Sequence, residues 1–214
     1  MKKGICYIVG AGEHFGLAFR PGPDDLVIAA DAGFRYLAEA GIRCDLAVGD
    51  FDTLRYTPDG PNVVKLPAEK DVTDAWAAAE EGIRAGYDMF HVYCATGGRI
   101  DHTIANLQLI AHLAREGKRA VLFGRDTAIT AVADGAIAIP AGPGGYVSVF
   151  AFGGPAEGVT LRGLKYELRS ATLFPDVPLG VSNEFTGAEA EIRVETGTLL
   201  VTVPIGAIRR DVLK

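Results

Sequence analysis

Three features that would classify a chain quickly are scarce in this sequence. Cysteine is the first: Cys6, Cys44 and Cys94 are the only three in 214 residues. They are scattered and odd in number. That argues against a disulfide framework or a cysteine metal site and predicts buried, reduced thiols in a cytoplasmic protein. An excess of basic charge is the second. Lys and Arg total 21 against 27 Asp and Glu, for a net charge of -6. Such a chain offers no electrostatic footprint for DNA or RNA. It can bind anions only where a metal or a local Arg/Lys group offsets the field. Long apolar runs are the third. None approaches the roughly 20 residues a bilayer-spanning helix needs, so no membrane partner is expected. The apolar stretch after Met1-Lys2-Lys3 soon meets Gly10 and Gly12, which reads as a first strand rather than a signal peptide. The chain has no internal repeat and no low-complexity tail.

What is present is an ordinary globular composition, 49% hydrophobic and 22% charged, long enough for one large domain or two small ones. Short runs predict strands at 5–9, 26–30, 46–48, 62–66, 89–95 and 119–123, most of them continuous and apolar as expected for strands buried on both faces. Helical patterns lie between several of them, at 33–40, 73–85 and 102–116. Gly41, Gly86 and Gly117 stand just past their ends, where a glycine stops a helix without strain. Alternation of strand and helix predicts an α/β domain with a mainly parallel sheet over 1–127. From about Asp126 the helical pattern disappears. Short β-like runs at 136–139, 146–150, 159–161, 191–195 and 199–203 are punctuated by Gly and Pro. They predict a small all-β sandwich over 128–214.

On this layout the polar residues fall after strands. Asp31 follows the second, Asp50 and Asp52 the third, Glu69-Lys70-Asp71 the fourth and Thr96-Gly97-Gly98-Arg99 the fifth. In open α/β sheets ligands bind at that carboxyl-terminal edge. Carboxylates about 5 Å apart repel by roughly 3 kcal/mol per pair at an effective dielectric near 20. A cluster of them needs protons or a cation, and hard oxygen ligands beside a nucleotide pocket suit Mg²⁺. Asp31 is open to an N-cap reading. Asp71 and Asp74 are open to a cap and a dipole partner at a helix start. Asp50 and Asp52, flanking Phe51 after a strand and a glycine, favour metal binding. Alternation would put both carboxylates on one side and turn Phe51 inward.

Gly97-Gly98-Arg99-Ile100-Asp101-His102 is the second specific feature. Its glycines let backbone N–H groups approach a phosphate, Arg99 offers a fork of donors, and the next helix aims its N-terminus at the same place. His102 and Asn106 are four apart and share a helix face. The alternative is a tight turn with Asp101 as cap and His102 on the surface. Gly10-Ala11-Gly12 superficially suggests a dinucleotide fingerprint with Asp31 downstream. However, the third glycine is displaced to Gly16, and Pro21-Gly22-Pro23 breaks the helix that fingerprint requires. It reads as a glycine turn.

These motifs resemble the thiamine pyrophosphokinase family. Ala30-Asp31-Ala32-Gly33, Gly49-Asp50-Phe51-Asp52-Thr53, Lys70-Asp71-Val72-Thr73-Asp74 and Gly98-Arg99-Ile100-Asp101-His102 occur in the family's order. Gly163-Leu164-Lys165-Tyr166-Glu167-Leu168 and Gly180-Val181-Ser182-Asn183-Glu184 resemble its thiamine-domain motifs. The chain departs from the family at Ala32, usually glycine, and at Thr53, usually serine; neither change removes a carboxylate. The resemblance implies an α/β domain, a β-sandwich and a homodimer, with the active site between domains and across the dimer interface. It implies Mg²⁺ on Asp31, Asp50, Asp52 and Asp74, with Asp71 nearby. It implies ATP on Lys70, Thr73, Gly98, Arg99, Asp101, His102 and Asn106, and thiamine on Tyr166, Ser182 and Asn183. The catalytic set is then Asp50, Asp52, Asp71, Asp74 and Arg99. The implied reaction moves pyrophosphate from ATP to thiamine and releases AMP. The alternatives are a Mg²⁺-dependent phosphohydrolase acting on a nucleotide or phosphosugar, and a non-catalytic nucleotide- or thiamine-binding protein.

Overall fold

The structure is a computed structural model and describes residues 4–58, 62–67, 69, 71–142 and 144–208. The chain divides into two compact units, and the division falls inside a helix and the strand after it. The first unit holds residues 1–109 and 122–124, the second 110–121 and 125–214.

The first unit starts with β1 (Cys6–Val9), β2 (Leu26–Ala30), α1 (Gly33–Glu39), β3 (Leu46–Gly49) and β4 (Asn62–Lys65). It continues with α2 (Asp74–Arg84) and β5 (Met89–Tyr93), while α3 (Ile100–Arg115) and β6 (Arg119–Phe123) are the elements the division cuts. Neighbouring strands run in the order β5-β1-β2-β3-β4, and every pair is parallel. The registers align their ends: Val9 pairs with Ala29 and Tyr93, Ala30 with Val48, and Gly49 with Lys65. The chain therefore leaves five strands along one edge. β1 and β5 are buried along their whole length, as the unbroken apolar runs anticipate. Each fully buried Ile8, Ile28 or Phe90 stabilises the fold by about 1.5–3 kcal/mol. Tyr7 of β1 stacks on Phe19 at 4.2 Å, and Tyr93 of β5 on Phe123 at 4.5 Å.

All three helices end where expected. Gly41, Gly86 and Gly117 have φ of 62, 87 and 68°, each just beyond its helix. Two starts differ from expectation. The cap of α2 is Thr73, whose hydroxyl accepts the Trp76 N–H at 3.2 Å; neither Asp71 nor Asp74 caps it. Likewise α3 begins at Ile100 rather than at His102. Gly33 opens α1 hard against β1, where a Cβ would lie 1.9 Å from the Val9 carbonyl oxygen.

The second unit contains β7 (Thr127–Ala133), β8 (Ala136–Ile139), β9 (Tyr146–Ala151), β10 (Ala156–Arg162) and β11 (Leu168–Leu173). After them come β12 (Gly180–Glu184), β13 (Ala190–Arg193), β14 (Thr198–Pro204) and a short 3₁₀ turn, Ile205–Ala207. They form two antiparallel sets, β12-β9-β14-β7 and β11-β10-β13-β8. β7, β11 and β12 were not expected. β7 is rich in alanine, and β11 (Leu-Arg-Ser-Ala-Thr-Leu) and β12 (Gly-Val-Ser-Asn-Glu) are largely polar. Their strand state comes from pairing with neighbours, which intrinsic propensity does not report.

Candidate active site

Asp31 leaves β2 with φ of 49°, and its N–H donates to the Val48 carbonyl at 2.9 Å, tying it to β3. It is not a helix cap. The N-cap of α1 is Ala32, with no side-chain cap bond. Gly49 ends β3 with φ of 156°, and a Cβ there would sit 3.2 Å from both Asp31 N and Cα. The missing side chain lets the two strand ends close together. Phe51 follows with φ of 61° and is buried, as its inward turn requires. Asp50 Oδ1 accepts the Asp52 N–H at 3.2 Å, and Thr53 donates its hydroxyl to Asp52 Oδ1 at 3.0 Å.

The result is a carboxylate cluster. One oxygen each from Asp31, Asp50 and Asp52 lies within 4.8 Å of the others. Asp31 is buried, Asp50 half-buried and Asp52 exposed. Asp31 Oδ1 is enclosed yet accepts no hydrogen bond among the described residues. A buried acceptor without a donor normally costs 1–3 kcal/mol. Three carboxylates, one of them carrying an orphaned buried oxygen, fit a divalent cation of the Mg²⁺ class.

The cluster borders a cavity of about 490 Å³ whose described wall lies wholly in the first unit. Asp31 and Thr53 form part of one side. Thr73 and Asp74, at the start of α2, form another. Asp74 lines the cavity but stands outside the set of three within 4.8 Å. Asp71 is exposed and not on the wall, and Lys70 lies outside the described residues.

The Gly97–Asn106 segment also lines the cavity, contributing Gly97, Gly98, Arg99, His102 and Asn106. Gly97 and Gly98 have φ of 75 and 60°. Arg99 is exposed, and its guanidinium forks onto Asp101, Nε to Oδ1 at 3.2 Å and Nη2 to Oδ2 at 2.6 Å. That pairing holds the Asp101 carboxyl below its ordinary pKa and raises that of Arg99. Asn106, 5% exposed, donates from Nδ2 to the Ala95 carbonyl at 2.7 Å. Its Oδ1 is buried and accepts nothing among the described residues. Asp31 Oδ1 and Asn106 Oδ1 are thus two acceptors awaiting a partner from outside the chain.

One stretch of wall was not anticipated. Gly10, Ala11, Gly12 and Glu13 line the cavity. Gly12 N–H donates to the Cys94 carbonyl at 2.7 Å and Glu13 N–H to the Thr96 carbonyl at 3.2 Å. Glu13 Oε1 in turn accepts the Gly98 N–H at 2.9 Å. The signal was the glycine pair after the first strand, which reads equally well as a plain turn. Tyr36 also lines the cavity and donates its hydroxyl to the Gly12 carbonyl at 3.1 Å. Cys94 is on the wall too, but burial lifts its thiol to about 11, so it remains neutral and a poor nucleophile.

In the second unit Tyr166 is 59% exposed, Ser182 is exposed with φ of 57°, and Asn183 is buried. Asn183 Oδ1 accepts the Tyr166 N–H at 2.9 Å, and its Nδ2 donates to the Tyr166 carbonyl at 2.6 Å. Lys165 Nζ sits 5.4 Å from the Tyr166 ring centroid and pairs with Glu184 at 2.7 Å.

Two sequence families match this chain in tandem. One, described as thiamin pyrophosphokinase, catalytic domain, matches residues 23–122. The other, thiamin pyrophosphokinase, vitamin B1 binding domain, matches residues 136–201. A solved structure of a thiamin pyrophosphokinase family protein from Enterococcus faecalis is 30% identical, with a TM-score of 0.78 over 92% of this chain and 97% of that one. The chain belongs to the thiamine pyrophosphokinase family. The thiamine pyrophosphokinase of Bacillus subtilis (strain 168) is 28% identical over 183 residues, which is 82% of this chain and 86% of that protein. A crystal structure of the Bacillus subtilis enzyme superposes with a TM-score of 0.80 at 25% identity, covering 92% and 97% of the two chains. The catalytic-domain match runs through the whole carboxylate cluster and Asn106 but begins after Gly10–Glu13. The vitamin B1 match contains Tyr166, Ser182 and Asn183.

Proposed function

We propose that this thiamine pyrophosphokinase family member transfers pyrophosphate from ATP to the hydroxyl of thiamine, giving thiamine diphosphate and AMP. The observation that carries the reading is that Asp31, whose buried Oδ1 is orphaned, brings a carboxylate oxygen within 4.8 Å of one each from Asp50 and Asp52 at the edge of a cavity of nucleotide size. Asp31, Asp50 and Asp52 would hold Mg²⁺, with Asp74 beside them and Asp71 nearby. The cation, when bound, supplies charge neutralisation at the phosphate oxygens. Gly98, Arg99 and Lys70 serve the phosphates. Thr73, Asp101, His102 and Asn106 complete the ATP side, within a nucleotide-binding domain over 1–127. Tyr166, Ser182 and Asn183 build the thiamine end in a β-sandwich domain over 128–214.

The chain's task is to bring the hydroxyethyl oxygen in line with the β-phosphorus. The new O–P bond forms there as the bond to the α–β bridging oxygen breaks, the hydroxyl proton passes to solvent, and AMP leaves with the bridging oxygen. Positioning and electrostatics account for most of phosphoryl-transfer catalysis. The thiazolium is a cation, so a π-face such as Tyr166 suits it. Incubating purified protein with ATP, Mg²⁺ and thiamine should give thiamine diphosphate and AMP in equal amounts by chromatography. ATP hydrolysis unaffected by thiamine would rule the assignment out.

A homodimer belongs to the same reading. Tyr146 and Phe150 on β9 and Val181 on β12 are exposed apolar side chains, which favours a partner surface. A cytoplasmic location is supported by three free cysteines, and no described helix is long and apolar enough to cross a membrane.

A further inference from the structure

We propose that Asn183 is a positioning residue: it locks the backbone of Tyr166 so that the tyrosine ring faces thiamine, and does not contact thiamine itself. The proposal rests on the reading that the second unit binds thiamine.

The local geometry of β12 explains how Asn183 reaches Tyr166. Its pairing with β9 shifts register between Gly180 and Asn183. Ser182 inside the shift takes φ of 57° and donates its N–H to Ser148 Oγ at 3.0 Å. Such a bulge re-aims the next side chain. Asn183 turns inward and is left 3% exposed, while Ser182 before it stays exposed.

Once inside, the carboxamide is almost fully committed. Oδ1 accepts two N–H groups, from Tyr166 at 2.9 Å and from Glu184 at 2.9 Å. Nδ2 donates to the Tyr166 carbonyl at 2.6 Å. Both lone-pair directions of the oxygen are used, and one N–H of the amide is spent. The side chain mimics a neighbouring strand and satisfies both backbone groups of a single residue. Two further contacts fasten the same loop: Lys165 N–H donates to the Glu184 carbonyl at 3.0 Å, and Leu164 bridges to Phe185.

The residue so tightly held is itself 59% exposed. A locked backbone carrying an outward aromatic is costly unless the ring meets something. Its face already attracts positive charge, since Lys165 Nζ lies 5.4 Å from the centroid. A cationic heteroaromatic ring is the ligand chemistry that fits such a face. Asn183 therefore acts on the ligand through Tyr166.

The test is a double-mutant cycle on the full-length protein with thiamine as the varied substrate. Tyr166→Ala and Asn183→Ala should each raise KM for thiamine about tenfold, the worth of one cation–π contact, with much smaller changes in kcat and in KM for ATP. The double variant should be no worse than Tyr166→Ala alone. Amide exchange at Tyr166 N–H, followed by NMR without substrate, should accelerate at least about tenfold in Asn183→Ala. Should the alanine variant fail to fold, Asn183→Asp keeps an acceptor for the two N–H groups but sets a carboxylate oxygen against the Tyr166 carbonyl in place of the donor, so the backbone lock is still broken. That variant should show the same non-additivity. Effects that multiply in the double variant, or unchanged Tyr166 exchange, would overturn the positioning role. A wild-type protein that makes no thiamine diphosphate would instead remove the functional reading beneath it, an outcome distinct from additivity.

Discussion

The carboxylate cluster and the Asn183 clamp handle buried polar atoms in opposite ways. Around the cavity, Asp31 Oδ1 and Asn106 Oδ1 are enclosed with nothing donating to them among the described residues. Around Tyr166, the buried Asn183 amide oxygen has two donors, and its nitrogen has an acceptor. An orphaned acceptor stores unfavourable free energy that an incoming ligand releases. A satisfied one holds shape and has little left for a ligand. The first region is thus prepared for charge from outside the chain, while the second presents a surface whose scaffold is already complete. Polar residue type alone does not separate the two cases; hydrogen-bond accounting does.

The largest expected effect comes from removing the charge for which the first region waits. Asp31→Asn, Asp50→Asn or Asp52→Asn should each lower AMP release by at least about a hundredfold. The same substitutions relieve repulsion among three close carboxylates. Asp31→Asn removes two of the three repulsions and, at the near-aqueous dielectric of a cluster whose other members are half-buried and exposed, should stabilise the metal-free protein by roughly 1–2 kcal/mol, raising its melting midpoint by about 2–8 °C. Added Mg²⁺ should raise the midpoint of wild type, because a ligand of the native state stabilises it, and should do so far less for Asp31→Asn. A variant that both turns over normally and responds to Mg²⁺ like wild type would erase the contrast between the regions. Gly49→Ala tests the same cluster without touching a carboxylate. Its φ of 156° and a Cβ 3.2 Å from Asp31 N and Cα force Asp31 outward by a few tenths of an ångström. A loss of about tenfold in kcat is expected from displacing one ligand; unchanged kcat would show that the site tolerates the shift.

How far these regions are legible in sequence follows from the same contrast. Asp31 and Asp50 stand out because each directly follows an apolar strand, with Asp52 two residues on, and parallel strands with aligned ends must bring them together. The helix stops at Gly41, Gly86 and Gly117 are equally readable, being purely local. Thr73 took the cap that Asp71 or Asp74 could have supplied, because three residues able to cap within four positions compete and only backbone geometry chooses. The β12 strand was invisible: Gly-Val-Ser-Asn-Glu has the composition of a turn, and its partner β9 lies some thirty residues earlier. Asn183 could be flagged as polar and interesting, but its bonds to Tyr166 span 17 residues, and no local pattern encodes them. Glu13 escaped for a similar reason, its partner Gly98 being 85 residues away.

Glu13 gives the smallest and most discriminating prediction. Its carboxylate occupies the Gly98 N–H at 2.9 Å, and a Cβ on Gly97 would fall 2.5 Å from Glu13 Cδ, so the side chain lies directly over the glycine turn. This one donor of the cavity wall is already paired with an anion, and the anion belongs to the chain. A phosphate using that N–H must displace the carboxylate and approach a like charge. Glu13→Ala should therefore lower KM for ATP by about threefold, the scale of an exposed electrostatic contact. It should also cost up to about 1 kcal/mol of stability through the lost hydrogen bond. Opposite signs in affinity and stability are the mark of a place-holder. A higher KM for ATP in Glu13→Ala would mean that the carboxylate recognises the nucleotide directly, and Gly98 would then belong with the satisfied scaffold of the Asn183 kind.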